Sequence, residues 1–202
     1  MKKLVMLFAG LFLTSLVHAA PLFKEGVNYD VVKQTTTAKP EVMEFFSFYC
    51  PHCYQFEPII ADLKKSVGKD VTFKRNPVAF IGQNMGPELL RAYAVAMLLG
   101  VEEKFSTVAF KQIQVDRNPP KDRAAVRALF ESIGVKGSDF DGAVDSFAVV
   151  GQVSQYDHNT EGFNIRGVPA TVVNGKYLLK TESVKSEQEY IELVQFLLKK
   201  KD

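Results

Sequence analysis

An apolar and aromatic run from Val42 to Phe48, interrupted only by Glu44 and Ser47, leads straight into Cys50-Pro51-His52-Cys53 and then into a helix-spaced pattern. This junction constrains the fold more than any other feature. The run fits a buried central strand. From Tyr54 to Val67 the apolar residues Phe56, Ile59, Ile60, Leu63 and Val67 share one helical face. Pro58 within that stretch lacks an amide donor and crowds the Tyr54 carbonyl, which predicts a kink with helix resuming beyond it. Asp70 to Arg75 alternates as a second strand, so the cysteines sit at the turn of a strand-helix-strand unit.

Around this unit, Val27 to Val32 alternates weakly, as an edge strand would, and Thr35 to Pro40 reads as a connection. From Gly86 to about Asn159 the pattern is helical. Pro87 suits a first helical position and Gly100 a stop around the apolar Leu89 to Leu99; another helix covers Glu102 to Gln112; Asp122 and Gly134 bracket a further one; Ser138 opens the next. Sheet then returns. Ala170 to Val173 and Lys176 to Leu179 flank Asn174-Gly175, the strongest short hairpin signal. Ser186 with Glu189 forms a capping box before a last helix in which Tyr190, Leu193, Val194 and Leu197 share a face. The expectation is an α/β domain with an inserted helical block.

The beginning of the chain reads as an export signal. Lys2 and Lys3 precede the uncharged stretch Leu4 to Val17, with small residues at Ala19 and Ala20, and the stretch is short for a membrane span. Cleavage after Ala19 is expected, because cleavage after Ala20 would leave Pro21 next to the cut. Lys2 and Lys3 account for the whole formal net charge of +2. The exported domain is therefore neutral and carries no electrostatic footprint for nucleic acid or an anionic membrane.

An exported cysteine pair is structural, metallic or redox-active. A bond closing so short a ring restrains the unfolded chain by about 2 kcal/mol, against roughly 3 for a 15-residue loop, so a structural role is weak. A structural zinc needs four ligands; the exported chain offers one cysteine pair plus His52, wedged between them, and the distant His158, so no metal is expected. Reaction remains. Cys50 at a helix N-terminus meets unpaired amides and the helix dipole, both of which favour the thiolate. Pro51 occupies the first turn without wasting a hydrogen bond, His52 adds a donor and, when protonated, a charge, and Cys53 lies inward as the resolving thiol. A stabilised reduced thiolate makes the disulfide a stronger oxidant, so it is donated rather than kept.

The motifs EFFSFYCPHCYQFEP (Glu44 to Pro58) and RGVPATVVNGKY (Arg166 to Tyr177), with the helical block between them, give the chain a second reading. It resembles the DsbA family of periplasmic thiol:disulfide oxidoreductases, within the thioredoxin superfamily, over essentially its whole mature length. The resemblance implies an α/β, thioredoxin-like fold with an inserted helical domain: residues 1–19 a signal peptide, 20–85 and 160–202 the thioredoxin-like domain, 86–159 the insertion. It implies that Pro169 is a cis proline beside the cysteines and that Val168 and Pro169 present backbone groups to an extended substrate peptide and keep metal from the sulfurs. From sequence alone, Pro169 only breaks the chain before a strand. Glu44, an acid in an apolar strand, becomes a buried proton acceptor for Cys53, paired with Lys74 or Arg75, of which alternation lets only one face it. Glu57, one turn beyond Cys53, tunes the same site or solvates a helix face.

Under this resemblance the protein has no cofactor beyond a Cys50–Cys53 disulfide, acts in the periplasm as a monomer on reduced exported polypeptides, and is reoxidised by a quinone-linked membrane oxidase of the DsbB type. That partner docks in a groove near Val168 and Pro169, for which Phe80, Ile81 and Met85 are candidates. Two other functions compete. A disulfide isomerase or reductase is one; isomerases of the superfamily add a dimerisation domain, for which the segment before Val42 is too short. The other is a chaperone-like peptide binder with incidental cysteines.

Overall fold

Residues 23–200 are described by the computed structural model, so the expected signal peptide falls outside the described residues. Strands β1 (Tyr29–Val31), β2 (Glu41–Phe46), β3 (Thr72–Pro77), β4 (Ala170–Val173) and β5 (Tyr177–Leu179) form one sheet in the order β1-β5-β4-β2-β3. β2 and β3 run parallel, as a strand-helix-strand crossover requires, and the other pairings are antiparallel. Every residue of β2 is buried, consistent with its position between β4 and β3. Among the described strands β1 pairs with β5 alone and is the predicted edge.

The crossover helix α1 (Pro51–Ser66) begins at the cysteines and remains one helix through Pro58. Its Ile60 and Leu63 are buried, with Phe56, Ile59 and Val67 packed against the same cluster, as the spacing predicts. The C-terminal helix α7 (Glu187–Lys199) supplies Tyr190, Leu193, Val194 and Leu197 to that cluster. Its cap differs slightly from the expected box. Ser186 Oγ accepts the Glu189 N–H at 3.1 Å, but the Glu189 carboxylate reaches back to the amide of Lys185 at 2.7 Å rather than to that of Ser186. The Asn174-Gly175 hairpin is present, with φ of 52° and 62°, the left-handed pair that a type I′ turn demands. Asn174 does more than turn the chain: its side chain accepts the Glu41 amide at 3.1 Å and donates to the Leu197 carbonyl at 3.2 Å.

Between β3 and β4 the described chain is helical: α2 (Met85–Leu99), α3 (Glu102–Phe110) continuing into a π-helical segment (Lys111–Val115), α4 (Arg123–Ser132), α5 (Gly137–Ala143) and α6 (Phe147–Gly162). Gly100 ends α2 in the left-handed conformation, and Asp122 caps α4 by accepting the Ala125 amide at 2.8 Å, both as expected. Three details differ. Pro87 sits at the third position of α2, α5 starts after Lys136 with Ser138 already inside it, and α6 runs to Gly162, past the expected edge of the helical block at Asn159. α6 buries only Val149 and Tyr156, so it offers no apolar stripe to read. The helical block shares a core with the strand end that carries the cysteines: Phe46 and Phe48 pack with Tyr93, Phe105 and Phe110.

Candidate functional site

β2 ends at Phe46, and Ser47 to Cys50 form a turn in which the Cys50 N–H donates to the Ser47 carbonyl at 3.0 Å. This delivers Cys50 to the N-cap of α1, with extended backbone (φ −91°, ψ 113°) and Pro51 at the helix start. The Cys50 Sγ accepts the Cys53 N–H at 3.2 Å, taking the place that a serine or aspartate oxygen usually holds. Cys50 is 6% exposed and Cys53 fully buried, while Pro51 and His52 face solvent. The two thiols are unbonded to each other.

Their electrostatics are opposite. The Cys50 pKa is lowered to about 6, first by the hydrogen bond from the Cys53 thiol, then by the amides of Cys53 and His52 and the charge of His52, against the cost of burial. Cys53 is pushed well up, by that same hydrogen bond, by burial and by the nearby charge of Glu44. The pair thus holds one negative charge on the outer sulfur and one proton on the inner. Across from them, the Val168–Pro169 peptide is cis, and the Cys50 Sγ lies 3.4 Å from the Val168 carbonyl oxygen. The loop therefore presents backbone beside the sulfur.

Glu44 is 1% exposed, and Arg75 faces it directly in the β2–β3 register. Arg75 Nε donates to Glu44 Oε2 at 2.7 Å and Nη2 to Oε1 at 3.3 Å; its guanidinium also binds Glu57 and stacks 4.2 Å from the Phe46 ring centroid. Lys74, the other candidate, points away and pairs with Glu41 at 2.6 Å. Burial raises the Glu57 pKa; Arg75 opposes this and Glu44 adds to it. Burial lowers that of Arg75, but the two carboxylates outweigh it and hold the guanidinium charged. Glu57 and Arg75 also line a cleft of about 850 Å³ between α1 and the helical block, which gives this ion cluster a wet side away from Cys50. Among the described residues no group of three His, Cys, Asp or Glu side chains is placed to hold a metal.

Residues 41–192 match the model of the DSBA-like thioredoxin domain. The thiol:disulfide interchange protein DsbA of Dickeya dadantii is 38% identical, and that of Escherichia coli K12 36%, each over the full length of both chains. A structure of Proteus mirabilis DsbA with a non-covalently bound peptide PWATCDS superposes with a TM-score of 0.82 at 37% identity, covering 88% of this chain and 99% of that one. The chain belongs to the DsbA-like thioredoxin family.

Within this DsbA-like frame, the expected residues Cys50, Pro51, His52, Cys53, Glu44, Val168 and Pro169 converge on one end of the sheet, from β2, the start of α1 and the loop before β4. The groove candidates separate. Phe80 is 50% exposed and borders a hollow of about 340 Å³ with Ile165 and Arg166, whereas Ile81 and Met85 pack against the core. Two polar residues near the site escaped the sequence reading. Asn76, fully buried beside Arg75 on β3, joins the sheet to α6 through Tyr156 and Thr160. Gln114, from the π-helical segment, donates to the Phe48 carbonyl at 2.7 Å. Neither lies in a motif. For Asn76 the one signal was a polar residue, followed by proline, closing a strand pattern.

Proposed function

We propose that this DsbA-like protein is a periplasmic disulfide donor whose reacting sulfur is Cys50. In the oxidised protein a substrate thiolate attacks Cys50 Sγ; the Cys50–Cys53 bond breaks, and Cys53 leaves as a thiolate that takes a proton. A second substrate thiolate then attacks the substrate sulfur of the mixed disulfide and expels Cys50 as a thiolate. The substrate loses two electrons and gains a disulfide, and the protein is left with both thiols reduced. Glu44 serves as the proton exchanger for Cys53, held in place by Arg75. His52 and Pro51 keep the start of α1 available to the Cys50 anion.

The observation that carries the direction is the N-cap placement of Cys50 with its pKa lowered from 9.0 to about 6. A shift of that size, acting on the reduced form alone, raises the reduction potential by roughly 90 mV, at about 30 mV per tenfold change in equilibrium. Relatives named thiol:disulfide interchange protein favour this reading over an isomerase or a non-catalytic peptide binder.

Substrate binding is assigned to the Val168–Pro169 loop, where an extended peptide would meet backbone beside the Cys50 sulfur; the peptide-bound relative supports such a ligand class. The substrates are reduced exported polypeptides. Electrons leave the reduced pair to a quinone-linked membrane oxidase of the DsbB type, with no bound cofactor in this chain, which acts as a monomer. Residues 1–19 are the export signal, cleaved after Ala19; 20–85 and 160–202 form the thioredoxin-like domain and 86–159 the insertion, whose edge at 159 leaves the last turn of α6 with the former. A glutathione redox titration of the mature protein, paired with alkylation of Cys50 against pH, tests the reading. An oxidising potential with a thiol ionising near 6 is expected; a potential in the reductase range reverses the electron flow and defeats it.

A further inference from the structure

The turn before Cys50 is gripped from the helical block. Gln114 reaches the Phe48 carbonyl from the π-helical segment, in which the Asp116 N–H bonds back to the Lys111 carbonyl, one residue further than in an α-helix. Gln114 lies within this segment, and its side chain faces the end of β2. Such segments are rare and occur frequently at functional sites. The same stretch of chain holds both flanks of Cys50: the Phe110 ring packs 4.9 Å from Phe48 and 5.8 Å from Tyr54, and the Tyr49 hydroxyl donates to the Pro120 carbonyl at 3.5 Å. Of these contacts the Gln114 bond is the short, directional one.

We propose that Gln114 is a positioning residue for thiol–disulfide exchange: by holding the Phe48 carbonyl it fixes the Ser47–Cys50 turn and keeps the Cys50 sulfur aligned on the first amides of α1. The inference rests on Cys50 being the reacting thiol. The link is geometric. The Cys50 N–H closes the turn on Ser47, and its sulfur receives the Cys53 amide at 3.2 Å, so a turn that swings loses the alignment of that donor. The titratable groups acting on the sulfur are Cys53 and His52 on its own helix, with Glu44 of β2 acting on Cys53. Gln114 adds no charge to this set, so any effect it has passes through geometry.

Gln114→Met removes the donor at similar length without changing charge. In the mature protein, thiolate absorbance or alkylation rate against pH is expected to show the Cys50 pKa rising by at least about half a unit, and the equilibrium with glutathione shifting at least about threefold toward a weaker oxidant. Phe140→Leu, which loosens the same helical block through its contact with Phe130 and away from the turn, is the control: it lowers Tm and leaves the Cys50 pKa in place. A methionine variant that ionises and equilibrates like the parent overturns the proposal, as does a Phe140 variant that moves the pKa equally. If the methionine variant fails to fold, Gln114→Ala is read by the same criteria. A parent protein whose Cys50 ionises like free cysteine defeats the functional reading instead, whatever Gln114 does.

Discussion

Glu44 and Arg75 sit opposite each other in the β2–β3 ladder, joined by two hydrogen bonds of 2.7 and 3.3 Å, with Glu57 of α1 on the adjoining edge of the guanidinium. One buried cation is thus shared by two carboxylates, and the inner carboxylate acts electrostatically on Cys53. A buried ion pair costs several kcal/mol of desolvation per charge, so its net stabilising value is small and its presence suits a group with chemistry to do. Exchange of a proton with Cys53 would be that chemistry.

Replacing Glu44 by Gln removes the proposed proton exchanger and leaves Arg75 with Glu57 alone. Stopped-flow exchange with a two-cysteine peptide is expected to slow by about tenfold or more at the steps that form or consume the Cys53 thiolate, a range in keeping with general acid–base contributions of about 10²–10⁴. Because Glu57 still pairs with Arg75, the variant loses less stability than the roughly 3–5 kcal/mol of a buried charge left without a partner. Exchange rates that match the parent from pH 5 to 8 would remove Glu44 from the mechanism.

The depressed Cys50 pKa has a consequence for folding. A thiol whose folded value lies below its unfolded value stabilises the reduced native state at high pH, fully above about 9 and progressively less as pH falls through about 6. The contribution is at most about 4 kcal/mol, for roughly three units at 1.36 kcal/mol each. The oxidised protein has no thiolate and no such contribution. Paired urea titrations of the two forms are therefore expected to show the reduced form gaining on the oxidised form between pH 5 and 9. A gap independent of pH would mean that Cys50 is not the anion.

Cys50→Ser is expected to abolish oxidation of a reduced model protein. Cys53→Ser leaves Cys50 able to form mixed disulfides but removes the disulfide that would be donated, so adducts accumulate on mixing with glutathione disulfide. Mass spectrometry of the two variants separates the roles. Full folding activity in the Cys50 variant would transfer the function to peptide binding without redox chemistry.

The elements that carry these residues were legible where a local pattern had one cause. β2 was readable because its residues are buried on both sides, and the caps at Asp122 and Ser186 because their oxygens satisfy amides three residues on. Ser138 misled for the converse reason: a cap signal needs a helix starting at the next residue, and α5 had begun already. The partner of Glu44 was half legible. Alternation allowed Lys74 or Arg75, and only the strand register chose Arg75. Gln114 and the cis geometry at Pro169 left no local trace, since one acts through a contact between segments 66 residues apart and the other through a peptide isomer that residue type does not encode.

Asn76 separates scaffold from chemistry. Fully buried, it donates to the Tyr156 carbonyl and Thr160 Oγ1, each at 3.2 Å, and accepts from Asn159 Nδ2 at 2.9 Å, so one side chain ties β3 to α6 and the sheet to the helical block. Asn76→Ala removes this joint and opens a small void, which together cost about 2–3 kcal/mol. The expected result in urea is a lower midpoint with the Cys50 pKa and the glutathione equilibrium unchanged, because none of these bonds touches the Ser47–Cys53 segment. A large shift in the Cys50 pKa on this substitution would show that the strand–helix joint, and not the turn alone, sets the charge on the sulfur.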